Sequence, residues 1–318
     1  MNNRIYFADL THTIKGIHTP TFPLGISYVA SYAKKTLDTD YEIRLFRFPD
    51  DLAKAIIDAP PKVLALSNYS WNLELGHEIC RWAKKLNPNL ISVFGGPNFP
   101  LISKEKTQFI NKYGSIDYFI ELEGEIGFVN LVKKLEVFDF NNEKLKSSNE
   151  PMSNCTYLND SKLITGLSER IQDLNKIPSP YLTGILDDLF DYSLLPMIET
   201  TRGCPFSCSF CADGLIIKNK IRRFDSDRTK AEIDYIRERV HDIDEIITRT
   251  RDILDQLANK HIVLTGGRGF LGRYLTEIFF KYNEILDKPI KLTVIDNLTV
   301  SGELGITWPN YSNFKFIK

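Results

Sequence analysis

The chain has 318 residues, a near-balanced charge (40 Lys and Arg against 41 Asp and Glu) and 43% apolar residues, enough for two domains or three small ones. That balance gives no sign of a nucleic-acid or anionic-membrane surface, and no apolar run approaches the roughly 18 residues needed to span a bilayer. Five cysteines, three of them clustered, and an N-terminus without a signal-peptide pattern fit a reducing compartment, the cytoplasm, and metal ligation rather than a disulfide framework.

The first half alternates strand-like and helix-like patterns. Ile5 to Ala8 is a short apolar run, followed by a loop carrying His12 and His18. Leu24 to Lys35 has helical periodicity, and Tyr41 to Phe46 alternates as a strand. Leu52 to Ile57 is a helix ended by Pro60-Pro61, and Val63 to Ser67 is a buried strand. Leu73 to Leu86 is an amphipathic helix, with Cys80 as a buried small hydrophobe, and Leu90 to Phe94 is a strand turned by Gly95-Gly96-Pro97. A helix over residues 103–112, a strand at Tyr118 to Ile120 and a helix from Glu125 to Leu135 follow. This pace predicts an α/β fold, a doubly wound parallel sheet with both faces covered. Ligands of such sheets lie outside the carboxyl ends of the strands. The loops there are Asp9 to His12, Ser67 to Asn72, Gly95 to Asn98 and Glu121 to Glu125. Their small, polar and aromatic residues can approach and stack on a large flat ligand, or simply make ordinary turns.

Residues 141–195 read as a connector. Asn141 to Asp160 is polar and weakly periodic, a surface linker with a hairpin through Cys155 to Leu158 and Lys162 to Ile164. The prolines of Ile177-Pro-Ser-Pro-Tyr181 hold the chain extended across a domain border.

A short apolar run, Leu194 to Ile198, is expected to be a strand leading into Thr201-Arg202-Gly203-Cys204-Pro-Phe-Ser-Cys208-Ser-Phe210-Cys211. Three thiolates at C-x3-C-x2-C can ligate three irons of a [4Fe–4S] cluster and leave the fourth open to a small molecule. Two alternatives are a closed zinc site, for which no fourth Cys or His lies at a short spacing, and three unrelated buried cysteines. Beyond the loop, Lys218 to Arg223 is basic, Asp227 to Val240 has helix spacing, and Asp244 to Thr248 is expected to be a strand.

This loop, with Arg202-Gly203 before the first cysteine and Phe210 before the third, resembles the cluster loop of radical SAM enzymes. The resemblance implies a [4Fe–4S] cluster on Cys204, Cys208 and Cys211, with S-adenosylmethionine on the open iron and cleaved to a 5′-deoxyadenosyl radical. The first half resembles the cobalamin-binding domain that precedes many radical SAM domains, through Pro23-Leu-Gly-Ile26 and Gly95-Gly-Pro97. Carried over by position, Ser67, Asn68, Tyr69, Trp71, Asn72, Gly95, Gly96, Pro97, Gly124 and Glu125 would line the corrin site, with Phe210 beside the cluster cofactor. The Asp9-Leu-Thr-His12-Thr-Ile-Lys-Gly16 loop misses the spacing of a cobalt-ligating histidine, so His12 is expected in a solvated loop and the lower cobalt ligand stays undefined. The family implies methyl transfer to an unidentified small molecule, with a reductase, flavodoxin or ferredoxin as electron donor. The later strands of the barrel are not recognisable here. At most two of about six strand–helix units are present, leaving a half-built core, so activity is expected to be weak or absent.

Residues 259–318 read differently. His261 to Thr265 is a strand, Gly266, Gly269 and Gly272 make a glycine turn, Leu271 to Tyr282 is a helix, and Lys291 to Asp296 is a second strand ending in an acid. Such an order places a pyrophosphate at a helix N-terminus and a carboxylate on an adenosine ribose. The stretch resembles the start of extended short-chain dehydrogenases, the nucleotide-sugar epimerases and dehydratases. That resemblance implies Gly266, Gly269, Phe270, Leu271, Gly272 and Asp296 as an NAD site, with NAD a candidate cofactor and no catalytic Tyr-x-x-x-Lys in reach. The strands completing a fold without cofactor is the plainer alternative. The domains are therefore expected at 1–140 (cobalamin), 141–195 (connector), 196–258 (truncated radical SAM) and 259–318 (truncated Rossmann unit). Their meeting near residue 255 suggests a fusion, a deletion or an assembly error. Two rivals stand beside the main reading, an NAD-dependent epimerase or dehydratase fragment and a non-catalytic cobalamin-binding module.

Overall fold

The computed structural model describes residues 3–14, 16–37, 40–206, 208–209, 211, 214–240, 242–268, 270–297 and 312–318. They fall into two compact units, Met1–Glu238 and Arg239–Lys318.

In the first unit, β1 (Arg4–Ala8), α1 (Leu24–Thr36), β2 (Glu42–Phe46), α2 (Pro49–Asp58), β3 (Val63–Ser67), α3 (Leu73–Leu86), β4 (Ile91–Gly95), α4 (Ser103–Lys112), β5 (Tyr118–Ile120) and α5 (Gly124–Val137) alternate as expected. The strands lie parallel in the order β2-β1-β3-β4-β5. Successive strand residues bury on opposite faces. Ile5, Phe7, Val63, Ala65 and Val93 enter one core with α1 and α5. Tyr6, Ala8, Leu64, Leu66 and Phe94 enter another with α2 and α3. A sheet covered on both sides needs near-continuous apolar strands, which explains the uninterrupted Val63 to Leu66.

The connector adds to this sheet. After α6 (Asn142–Ser147), the antiparallel hairpin β6 (Cys155–Asn159) and β7 (Lys162–Thr165) docks on β5 and makes seven strands. Leu145, Met152, Cys155, Tyr157 and Ile164 join the α1–α5 core; the polar composition between them hides how deep these few residues go. Leu174, Ile177, Tyr181, Leu186 and Leu189 pack with Phe22, Tyr28 and Phe224 in a third core. The expected strand at Leu194 to Ile198 is not formed. Leu195 makes only an isolated bridge to Thr21, and the strand that leads to the cysteines is β8 (Thr201–Arg202), paired antiparallel with β9 (Arg222–Arg223). The register is set by the available partner rather than by apolarity. α7 (Ser226–Arg239) closes the unit.

The second unit has α8 (Asp242–Asp255), β10 (His261–Thr265), α9 (Phe270–Asn283), β11 (Lys291–Ile295) and β12 (Phe314–Ile317), with parallel strand order β10-β11-β12. Asp244 to Thr248, expected as a strand, lies inside α8. Ile243, Ile246, Ile247 and Leu254 fall on one helical face and pack on α9 residues such as Ile278 and Tyr282, a 3.6-residue period that five residues alone could not reveal. No helix among the described residues is long and apolar enough to cross a membrane.

Candidate functional site

A cleft of about 900 Å³ opens at the carboxyl ends of β3, β4 and β5, beside the β1/β3 point where strand order reverses, where doubly wound sheets bind ligands. Its walls include Ser67, Tyr69, Gly95, Gly96, Pro97, Gly124 and Glu125, all expected from sequence, together with Gly25, Tyr28 and Val29 of α1 and the segment Met197–Gly203. The glycines make the walls thin. Gly96 has φ +140°, and a Cβ there would lie 2.5 Å from the Asn68 carbonyl oxygen; a Cβ on Gly124 would lie 2.8 Å from Val29 Cγ2. Volume, glycine backing and an adjacent aromatic suit a large flat ligand such as a corrin.

The remaining expected corrin residues support the wall from behind or stand outside it. Asn68 is buried; its amide donates to the Asn98 carbonyl at 2.7 Å. Asn72 donates from Nδ2 to Asp9 Oδ1 at 2.9 Å, while its Oδ1 accepts the Tyr69 N–H at 2.8 Å. Ser67 Oγ donates to the same Asp9 oxygen at 2.5 Å, and Arg47 pairs with Asp9 at 2.9 Å. Burial raises the Asp9 pKa, against the opposing Arg47 charge and the Ser67 and Asn72 hydrogen bonds. Trp71 is half exposed and stacks on Tyr69, with ring centres 4.6 Å apart and planes 5° from parallel. His12 is occupied by the Trp71 carbonyl at 2.9 Å.

The opposite wall is charged. Arg202 of β8 places Nη1 2.8 Å from Glu125 Oε1 and 3.2 Å from Glu123 Oε2, and Nε 2.9 Å from Glu199. Burial works to lower the Arg202 pKa, but Glu125, Glu199 and Glu123 outweigh it and raise the value. Burial alone would raise the Glu123 pKa; hydrogen bonds from Arg222 and Arg170 and the Arg202 charge reverse the sign and hold it below the ordinary glutamate range. Glu199 is raised, first by burial and then by its acidic neighbours, with Arg202 opposing. Sequence reasoning missed Arg202, Glu123, Tyr28 and Gly25 as cleft residues. The available signal was an arginine directly before the Gly203-Cys204 pair and the acid-rich Glu121-Leu-Glu-Gly-Glu125 loop.

β8 runs straight into Cys204. Gly203 has φ +101°, and a Cβ there would lie 2.3 Å from the Lys220 carbonyl oxygen; the Cys204 N–H donates to the Lys218 carbonyl at 3.0 Å. The Cys211 N–H donates to the Cys208 carbonyl at 3.1 Å, and Gly214 packs on Cys208 so closely that a Cβ would lie 2.4 Å from the same oxygen. None of the three thiols is in a disulfide; Cys204 is half-buried, Cys208 and Cys211 exposed. Among the described residues no three Cys, His, Asp or Glu side chains converge as a metal cage, so the structure presents the three cysteines on one loop without gathering their sulfurs. The donor set itself, three thiols on one accessible loop, fits three-legged ligation of an iron–sulfur cluster. Phe210 lies outside the described residues.

In the second unit, Gly266 has φ +70° and a Cβ there would meet nothing within 4 Å, whereas a Cβ on Gly272 would lie 2.2 Å from the Gly266 carbonyl oxygen. Asp296, at the end of β11, accepts the Arg268 N–H at 2.8 Å. The expected acid therefore sits against the glycine turn. Leu271 is exposed on α9, Phe270 opens that helix, and Gly269 lies outside the described residues.

Comparison with known proteins separates the two halves. Residues 11–132 match the B12 binding domain family and residues 198–303 the radical SAM superfamily; the second match runs beyond residue 258, where the sequence alone predicts a separate Rossmann unit. The chain is 28% identical over 258 residues to a 2-(S-pantetheinyl)-carbapenam-3-carboxylate methyltransferase of Streptantibioticus cattleyicolor, covering 76% of this chain and 35% of that protein. It is 26% identical over 260 residues to the cobalamin-dependent radical SAM methyltransferase TokK of Streptomyces tokunonensis, with the same coverage. The fold matches the cobalamin-dependent S-adenosylmethionine radical enzyme OxsB, solved with aqua-cobalamin and S-adenosylmethionine bound, at a TM-score of 0.54 and 18% identity over 93% of this chain and 39% of that one. The chain thus spans little more than a third of the length of these relatives.

Proposed function

We propose that this chain, a B12 binding domain followed by radical SAM superfamily sequence, holds cobalamin in the glycine-walled cleft and an iron–sulfur cluster on Cys204, Cys208 and Cys211, as part of a methyltransferase. The observation that carries the reading is the shared wall: β8, which delivers Cys204, also lines the cleft through Thr201, Arg202 and Gly203. Cofactors held by the two elements would supply reductive cleavage of S-adenosylmethionine and a methyl carrier. The chain's own residues bind and orient. Gly95, Gly96 and Gly124 keep backbone close to the ligand, Tyr69 lines the cleft with Trp71 stacked on its ring, and Asp9 fixes Ser67 and Asn72 so that the loop after β3 keeps its shape. Gly203 and Gly214 let the cysteine loop fold tightly on itself. The substrate is a small molecule, and an external one-electron donor is required.

Anaerobic reconstitution with iron and sulfide is expected to give a thiolate-to-iron absorption band that disappears in Cys208→Ala; a band unchanged by that substitution would refute the ligand assignment. A second reading concerns residues 259–318, as the start of a dinucleotide-binding unit. It is supported by the strand–glycine turn–helix–strand order and by Asp296 beside the turn. The radical SAM match over the same stretch supports the opposite. Quenching or enhancement of NADH fluorescence on titration, lost in Asp296→Ala, is expected under the second reading; a flat titration would contradict it.

A further inference from the structure

The two-residue ribbon β8–β9 has few backbone bonds of its own, and Phe206, Ile216, Ile217 and Ile221 around it are exposed rather than packed. Beside the buried ring of Phe224, which follows β9, its attachment to the cleft is made by charged side chains. Glu123, which precedes α5, accepts from three guanidinium groups: Arg222 Nη2 of β9 at 2.7 Å, Arg170 Nε of the connector at 3.0 Å and Arg202 Nη1 of β8 at 3.2 Å. Arg202 is shared in turn among Glu123, Glu125 and Glu199. Its guanidinium carbon lies 5.0 Å from the Tyr28 ring centre, and Tyr28 stacks on Phe224 at 5.5 Å and 12°. Glu123, Glu125 and Arg222 are almost wholly buried. Buried charge-assisted bonds are directional and exacting in geometry, and only a planar fork can serve three carboxylates and a ring face together.

We infer, resting on the cobalamin and cluster reading above, that Arg202 is a positioning residue: held by Glu123 and Glu125, it fixes the ribbon carrying Cys204 at a set separation from the cofactor cleft. The carboxylates belong to the cleft domain and Arg202 stands two residues before the first cysteine, so slack in this clasp becomes slack between the two cofactor sites. Arg202 lines the cleft wall, and its role here is to set where the two cofactors meet.

The test uses the full chain, loaded anaerobically with iron, sulfide and saturating hydroxocobalamin, then reduced so that both centres are paramagnetic. Pulsed EPR reads the magnetic coupling between cobalt and cluster, and only molecules holding both contribute. Wild type is expected to give one narrow coupling distribution. Arg202→Ala and Glu123→Gln should broaden it at least two-fold while each centre keeps its own spectrum, and Arg202→Lys should fall between, because an ammonium keeps the charge but not the rigid planar fork. A wild-type width in Arg202→Ala would overturn the inference. Should that variant not fold, an unchanged width in both Arg202→Lys and Glu125→Gln would overturn it equally. Wild-type protein that takes up neither centre would instead bring down the cofactor reading itself, an outcome visible before any variant is made.

Discussion

The two units repeat one local pattern, a strand running into a glycine turn and a helix, with different surroundings. β3 and β4 are buried on both faces, whereas β10 alternates between exposed and half-buried residues, with Val263 57% exposed. In the first unit the turn after β4 is pinned: the Asn68 N–H donates to the Gly95 carbonyl at 2.6 Å, and Gly96 has no room for a side chain. In the second, Gly266 adopts a positive φ in open space, although Gly267 and Gly272 beside it have no room for a Cβ. A doubly covered sheet makes its turns into rigid walls, and rigid walls are what a preorganised ligand site needs.

Adding one methyl group to each turn should expose the difference most strongly. Gly96→Ala combines left-handed strain with a collision against backbone and is expected to cost about 3–5 kcal/mol in urea unfolding, with loss of corrinoid binding. Gly266→Ala carries strain alone, about 1–2 kcal/mol. Equal losses would show that the first turn is no more constrained than the second. A further difference between the units is read by pH. The depressed pKa of Glu123 contributes stability that is fully present above the ordinary value of 4.5 and is lost as pH falls through its lower folded value. Glu123→Gln should therefore cost about 3 kcal/mol at pH 7, the scale of breaking a buried ion pair. It should also flatten the acid limb of the first unit's unfolding. An acid limb that keeps its wild-type slope would remove Glu123 as its cause.

The same contrast governs what can be read from sequence. The fully buried strands announce themselves as continuous apolar runs, and Leu73–Leu86 and Ser103–Lys112 form the helices their periodicity predicts. Glycines within a few residues of such runs mark the cleft loops, so Gly95, Gly96 and Gly124 are legible. Trp71 groups with the corrin residues in sequence because an aromatic in such a loop is as suited to stacking on a ligand as on Tyr69, and only the fold decides. Arg202 and Glu123 are 79 residues apart; a pair brought together by tertiary structure leaves no local pattern. Asp244 to Thr248 misleads because two adjacent isoleucines serve either period until the surrounding Ile243 and Leu254 are placed on the same face.

The most direct measurement is the metal and corrinoid content of protein purified without oxygen and incubated with iron, sulfide and hydroxocobalamin. About four irons and one corrinoid per chain, with the iron lost in Cys208→Ala and the corrinoid lost in Gly96→Ala, is the expected result. Zinc or no metal in the cysteine loop, together with no retained corrinoid, would contradict the assignment of both sites.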